Sequence, residues 1–315
     1  MSQSHTLKAS PETVHWGYYD AAQKPVLTIS SGDTVTIDSA SGGPEDLPPA
    51  GSPYTLLEDH KRILAQTPRG PGPHILTGPI AVEGAKPGDV LKVEILDVAL
   101  RQDWGFNLTR ESKGALPEDF PQPRYIHIGL DRSKKTARMP WGLEFSAAPF
   151  FGCMGVAPPK SYGRLTSVVP GPFGGNIDNR ELGPGAVLYL PVFEPGALFS
   201  CGDGHAAQGH GEVNLTAIET ALTGTFRLTI ETKEKLERPR AETPTHFITM
   251  AFDPDLDQAM KVALRDMIDF IAQQSGLSRA DAYSLCSIAA DVIVTQVVNG
   301  DRGIHVSLPR WALKK

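Results

Sequence analysis

Cys201-Gly202-Asp203-Gly204-His205-Ala206-Ala207-Gln208-Gly209-His210-Gly211-Glu212 follows a short apolar run, Ala197-Leu198-Phe199, and the rest of the chain is read outward from it. An apolar run that stops at glycines and polar groups predicts a rigid strand presenting a flexible, functional turn. Asp203 and His205 are two positions apart, so on an extended backbone both side chains point to one side. A carboxylate and an imidazole so placed can share a divalent metal, zinc foremost. The plainer alternative is a glycine-rich loop with solvated polar tips.

Upstream lies a second loop of the same kind. Pro170-Gly171-Pro172-Phe173-Gly174-Gly175-Asn176-Ile177-Asp178-Asn179 precedes Val187-Leu188-Tyr189-Leu190-Pro191-Val192, which reads as a strand. Its paired glycines permit positive backbone angles or close approach to a ligand. Asn176 and Asp178, again two apart, supply oxygen donors. Two such loops at the ends of consecutive strands can converge on one site.

Further strands are expected wherever alternating or apolar runs follow a turn: Val26–Ile29, Thr34–Ile37 after Ser31-Gly32-Asp33, Val90–Ile95 after Pro87-Gly88-Asp89, and Thr225–Ile230. With 31 glycines and 27 prolines the chain affords many turns and therefore many short strands. The Gly-, Pro- and Ser-rich segment 38–72 reads as a long surface loop with a helical piece near Leu56–Leu64. Residues 101–145 give weak signals, and 231–244 read as a loop or solvent-facing edge strand. Near the C-terminus, Leu256, Met260, Ala263, Leu264, Met267, Ile268 and Ile271 form a helical stripe closed by Gly276. Ser278 and Asp281 form a capping pair for a second helix, whose stripe runs from Ala282 to Val297 and stops at Gly300. Ile304–Leu308 reads as a last strand. The expected fold is α+β and mostly β: a β-sandwich or barrel-like domain over residues 1–160, then an α+β domain over 161–315 carrying the central metal loop and the helix pair.

At this point the chain resembles a known family, the acetamidase/formamidase amidohydrolases. The residues that carry the resemblance are Gly174-Gly175-Asn176-Ile177-Asp178, Leu190-Pro191-Val192, and Gly202-Asp203-Gly204-His205-Ala206-Ala207 with Gly211-Glu212. His74 through Ile80, Val82-Glu83-Gly84-Ala85, Pro87-Gly88-Asp89, Gly155-Val156-Ala157-Pro158 and Thr295-Gln296-Val297-Val298-Asn299-Gly300 add to it, in the family's order over nearly the whole chain. The resemblance implies hydrolysis of a short aliphatic amide, formamide or acetamide, to its acid and ammonia, with a bound metal.

On that basis Asp178, Asp203 and His205 are expected to hold the metal, with His74 as a fourth ligand or a supporting partner. Zinc is the expected ion, and oxygen-rich loops also suit calcium. A metal of this kind lowers the pKa of a bound water toward about 7. Glu212 or Glu83 would take the water's proton and hand it to the departing nitrogen. Asn176, and backbone N–H groups near Gly155, are candidates for holding the substrate. Two rival readings stand beside this one: Cys153 as the nucleophile of a thiol amidase, and a non-catalytic β-sandwich that binds a metal or an amide.

The bulk numbers narrow the partners. A net charge of −6 argues against a nucleic-acid backbone. The second C-terminal helix offers no basic residue after Arg279, which argues against a DNA-reading helix pair. No stretch approaches the roughly 20 apolar residues that span a bilayer. Met1–Lys8 lacks an apolar secretory core, and the three cysteines form no CxxC pair, so a cytoplasmic protein is expected. The long loop and the commonness of closed symmetry suggest a homodimer or higher homo-oligomer.

Overall fold

Two large sheets meet face to face in the computed structural model, which describes residues 2–313. One has nine strands, in the order Ser4–Leu7, Asp33–Asp38, Leu222–Glu231, Val90–Leu100, Val187–Pro191, Arg240–Glu242, His246–Asp253, Arg302–Pro309 and Asp291–Gln296. The other runs Gly174–Asn176, Phe150–Gly155, Phe199–His205, Ile75–Val82 and Val14–Trp16, with Leu27–Ile29 pairing in parallel beside Ile75–Val82. Aromatic rings lock the two together: Phe226 of the first sheet meets Phe151 and Phe199 of the second at centroid separations of 5.4 and 6.1 Å. Edge-to-face pairs of this kind each contribute about 0.5–1.5 kcal/mol beyond the area they bury. Among the described residues neither sheet closes into a barrel.

Strand pairing runs across the boundary expected at residue 160. Val90–Leu100 is bonded on one side to Leu222–Glu231 and on the other to Val187–Pro191, so each half of the chain completes the other's sheet. Residues 101–145, weak in sequence, form a small sheet of Trp104–Thr109, Arg124–Asp131, Thr136–Arg138 and Glu144–Ser146. The helical piece of the long loop is Glu58–Gln66. The segment Arg240–Glu242 is an inner strand, flanked by Val187–Pro191 and His246–Asp253.

Leu256–Ser275 forms the expected first C-terminal helix. The Asp255 side chain caps it by accepting from the amides of Asp257 and Gln258, and Gly276 ends it in the left-handed region at φ 76°. Ala259, Ala263, Met267 and Ile271 pack it onto Ile304, Val306 and Leu308 of the nine-stranded sheet. The second helix, Arg279–Ala289, starts at the expected Ser278 cap but ends well short of Val297. Its expected continuation, Val292-Ile293-Val294-Thr295, is β-branched and pairs with Arg302–Pro309 as a strand.

The central stretch also differs from expectation in an instructive way. Phe199–His205 is one strand, buried throughout, and Asp203 and His205 lie on it and not on a turn beyond it. Its glycines serve close packing. A Cβ at Gly202 would run into the carbonyl of Ile75, and one at Gly204 into that of Thr220.

Candidate active site

Phe150–Gly155 and Phe199–His205 run antiparallel, with Phe150 opposite His205 and Cys153 opposite Gly202. Between those pairs Gly152 has no side chain, and the space it leaves is where the functional groups converge. A Cβ there would collide with Asp178 Oδ1 and come within 2.6 Å of Asp203 Oδ2 and 2.7 Å of His205 Cε1. Asp178 enters from the loop after Gly174–Asn176, and its amide is bonded to the Gly152 carbonyl at 3.1 Å. Asp178, Asp203 and Glu212 have φ of 50°, 57° and 46°, three of the eight described non-glycine residues at positive φ. That conformation is costly away from glycine and persists where the surrounding structure fixes it.

His205 Nε2 lies 3.5 Å from Asp203 Oδ2, 3.9 Å from Asp178 Oδ1 and 3.2 Å from Glu219 Oε2. His74 Nε2 lies 3.7 Å from Asp203 Oδ2. The far side of each imidazole is fixed by a bond. His205 Nδ1 donates to Gln208 Oε1 at 2.9 Å, while Gln208 Nε2 donates to the Asp178 carbonyl at 2.7 Å. His74 Nδ1 donates to the Ser167 carbonyl at 3.1 Å, and the Ser167 hydroxyl oxygen also lies 2.9 Å away. A carbonyl can only accept, so in its neutral form His74 turns its Nε2 lone pair inward; the same logic through the Gln208 amide orients a neutral His205. Asn299 Nδ2 donates to Asp178 Oδ2 at 2.6 Å.

Four carboxylates are therefore buried around two imidazoles, and burial alone opposes so much negative charge. Burial, reinforced by Asp203, raises the Asp178 carboxyl. Burial and then Asp178 push Glu212 well above the carboxylate range, and burial carries Glu219 to about 8 against the pull of His205. Burial works the same way on Asp203, but the imidazoles of His74 and His205 overcome it and hold that carboxyl low. Burial disfavours an imidazolium at His205, yet Glu219 and Asp203 outweigh it and raise that ring well above its ordinary value. With protons as the only counter-charge, the cluster must hold several of them.

The four expected metal ligands, Asp178, Asp203, His205 and His74, are thus brought together, and Glu212 joins them. Asn176 lines the cavity as well, although its amide already donates to the Val168 carbonyl and accepts from the Cys153 thiol. Two expected residues fall elsewhere. Glu83 is exposed on the turn after Ile75–Val82, where it accepts from the Ser30 hydroxyl at 3.1 Å. Gly155 lies at the strand end away from His205, packed against Gly175, Tyr19 and Phe173. The strand that carries Gly155 does reach the site, but through Gly152, half the strand's length away. Cys153 is fully buried, and burial followed by the charges of Asp203 and Asp178 pushes its thiol well above the ordinary range, which opposes a nucleophilic thiolate. Glu219, Gln208, Asn299 and Gly152 complete the site without having been singled out for it. Glu219 offered one signal, a lone carboxylate among the apolar residues Ala217 and Ile218.

The cavity above the cluster has a volume of about 340 Å³ and is walled by Ile75, Phe106, Leu108 and Val298 as well as by the acids. This is a β-sandwich with a buried carboxylate–imidazole centre beside two glycine-bearing strands paired antiparallel. The family pattern described as Acetamidase/Formamidase matches residues 65–166 and 162–309, and the chain belongs to that family. A recombinant predicted acetamidase/formamidase from the thermophile Thermoanaerobacter tengcongensis superposes with a TM-score of 0.87 at 27% identity, covering 99% of this chain and 98% of that one. An acetamidase from Bacillus halodurans superposes with a TM-score of 0.83 at 30% identity, over 96% and 97% of the two chains. A formamidase of Methylophilus methylotrophus is 30% identical over 200 residues, 47% of this chain and 49% of that one. The aligned segments span about half the length of the curated relatives the chain matches. No helix among the described residues is long and apolar enough to cross a membrane.

Proposed function

We propose that this chain hydrolyses the amide bond of a short aliphatic amide, releasing the carboxylic acid and ammonia, and that a divalent metal ion held by Asp203, His205, Asp178 and His74 is needed for it. The observation that carries the reading is the Gly152 cradle, where oxygen and nitrogen donors from three segments of the chain converge. Bonds of about 2.0–2.2 Å in a tetrahedral array set neighbouring donors roughly 3.3–3.6 Å apart. Within this set His205 lies 3.5 Å from Asp203 and 3.9 Å from Asp178, and His74 lies 3.7 Å from Asp203, separations that small movements of the side chains would bring to such an array. Asp178 Oδ1 is buried with no hydrogen-bond partner, as a ligand oxygen would be, and a cation also answers the excess of buried negative charge. Zinc fits the mixed nitrogen and oxygen donors best.

When bound, such an ion supplies Lewis acidity, lowering the pKa of water and polarising a carbonyl oxygen. The chain's own residues do the rest. Glu212 Oε2 is buried, lines the cavity and accepts no hydrogen bond from the protein; with a cation offsetting the neighbouring acids that raise it, this carboxyl would be ionised and free to receive a proton from the attacking water. The same carboxyl returns that proton to the nitrogen as the C–N bond breaks, so that nitrogen departs as ammonia. Glu219 is already engaged through Oε1, which accepts from the Ala217 amide at 2.9 Å, while its Oε2 lies 3.2 Å from His205 Nε2. The wall of Ile75, Phe106 and Val298 excludes bulk water and strengthens every charge inside.

Ammonia release from formamide, acetamide and propionamide tests the reading, with Glu212→Gln alongside the wild type. Turnover of at least one of these by the wild type and its loss in the variant is expected. A protein that binds metal and amide but releases no ammonia would be a sensor and not a hydrolase.

A further inference from the structure

The cavity above the site has two ends of opposite charge, and its size and polarity say something about the substrate. Its floor is the buried cluster of acids. Away from that floor its lining carries the exposed Arg69 and Lys113 and the half-buried Arg110, against a single acid, the buried Asp46. Formamide or acetamide would fill only a small part of about 340 Å³, a volume within the roughly 300–1,000 Å³ of pockets that enclose much larger ligands.

The three cations are not equally engaged. Arg69 is paired with Glu45 at 2.7 Å and lies over the Trp16 ring. The nearest acid to Arg110 is Asp46, at 3.6 Å, beyond a hydrogen bond, and Arg110 Nε is buried with no partner at all. Asp46 in turn spends its other oxygen on the Gly43 amide at 2.8 Å. Lys113 is exposed and forms no ion pair among the described residues. A guanidinium with unfilled donors and a free ammonium at the mouth of a cavity suit a carboxylate, which guanidinium binds with well-matched geometry. Phe106 and Leu108 between the two ends suit a short methylene chain.

From this juxtaposition we infer that the preferred substrates are ω-carboxylated amides, the monoamides of short dicarboxylic acids, bound with the carboxylate on Arg110 and Lys113 and the neutral amide over the buried cluster. The inference rests on the proposed amide hydrolysis and adds the substrate class. The acidic floor supports the orientation, because it repels the carboxylate and accepts the uncharged end. The reaction is balanced as in any amide: water's oxygen bonds to the carbonyl carbon, the C–N bond breaks, and the dicarboxylate and ammonium leave.

The test compares kcat/KM for acetamide and propionamide with that for malonamate, succinamate and glutaramate at low ionic strength. At least one carboxylated amide is expected to exceed the neutral amides by about tenfold or more, the worth of one charge-assisted hydrogen bond. Salt should erode that ratio. Arg110→Gln and Lys113→Gln should each lower it, and the double variant should bring it close to one. Both side chains are partly solvent-exposed, so the folds of these variants are readily checked by their unfolding midpoints. Hydrolysis of neutral amides with rejection of every carboxylated one overturns the substrate class and leaves amide hydrolysis standing. A preference that survives in the double variant overturns the assignment to these two residues. Hydrolysis of no amide overturns both readings together.

Discussion

In the cluster at Gly152, Asp178, Asp203, Glu212 and Glu219 crowd around His74 and His205. Elsewhere His210 and His305 pack with ring centroids 5.0 Å apart and planes tilted by 49°, with Glu181 as their acid, 3.2 Å from His210 Nε2. Both groups are histidine–carboxylate assemblies, the first on the six-stranded sheet and the second beside Arg302–Pro309 of the nine-stranded sheet, and they resolve burial differently. His305 bonds the Thr295 hydroxyl through Nδ1 at 2.8 Å, and burial followed by the nearby His210 depresses its pKa to about 3, so it stays neutral. The first group has no such exit. Its acids outnumber its imidazoles, and neutrality there requires either several protons or a cation. Where uncharged tautomers suffice, a buried histidine is packing; where donors of one sign converge on a space left by a glycine, it is a site.

The sharpest way to break that contrast is to fill the space. Gly152→Ala puts a methyl group where Asp178 and Asp203 meet, and it should cost at least about 10²-fold in kcat/KM, the scale of an ångström-sized misplacement. Gly209→Ala in the neighbouring glycine-rich run has nothing within 4 Å of the new Cβ and should leave activity unchanged. Equal effects from the two substitutions would show that glycine at 152 serves the backbone and not the site.

A smaller effect is expected from Gln208→Ala, which removes the acceptor that orients His205 and the donor to the Asp178 carbonyl. Loss of such an orienting partner weakens metal binding by about 10–100-fold, which competition against a calibrated chelator would measure.

The second cluster gives the smallest and most specific effect, one of pH and not of activity. The folded pKa of His305, about 3, lies below the value near 6.5 of an unfolded chain, so the unfolded state binds the proton more tightly. The stability held by neutral His305 is complete above about pH 6.5 and falls as pH drops toward 3. Its slope is about 1.4 kcal/mol per pH unit. His15, buried and lowered to about 4, acts in the same direction. Urea unfolding of His305→Gln between pH 7 and 4 should therefore show a shallower loss of stability than the wild type, and an unchanged slope would mean that His305 is protonated in the fold.

Much of this arrangement was legible in the sequence. The turn residues before Val90 and Val187, the caps at Ser278 and Gly276, and the helical stripe from Leu256 are local signals, and local signals survive folding. Asp178, Asp203 and His205 stand out in the sequence as oxygen and nitrogen donors beside glycines, whereas His74 and Glu212 are expected only from the resemblance to the family. What escaped depends on contacts far apart along the chain. Gly152 matters only because Asp178 and Asp203 arrive from other segments, and Asn299 only because its loop returns to Asp178 over 121 positions. Glu83 and Gly155 looked equally suitable in sequence, and pairing of the sheets carried them away from the site. The glycines at 202 and 204 read as flexibility, yet they are pressed against neighbouring backbone.

The central claim is that the Gly152 cluster exists to hold a cation. Protein stripped by a chelator should take up zinc with a defined stoichiometry in a calorimetric titration, and its ammonia release should return as the sites fill. Asp203→Asn should lose both the high-affinity uptake and the turnover. Full turnover in protein shown to be free of metal, or undiminished zinc uptake by Asp203→Asn, would contradict the account.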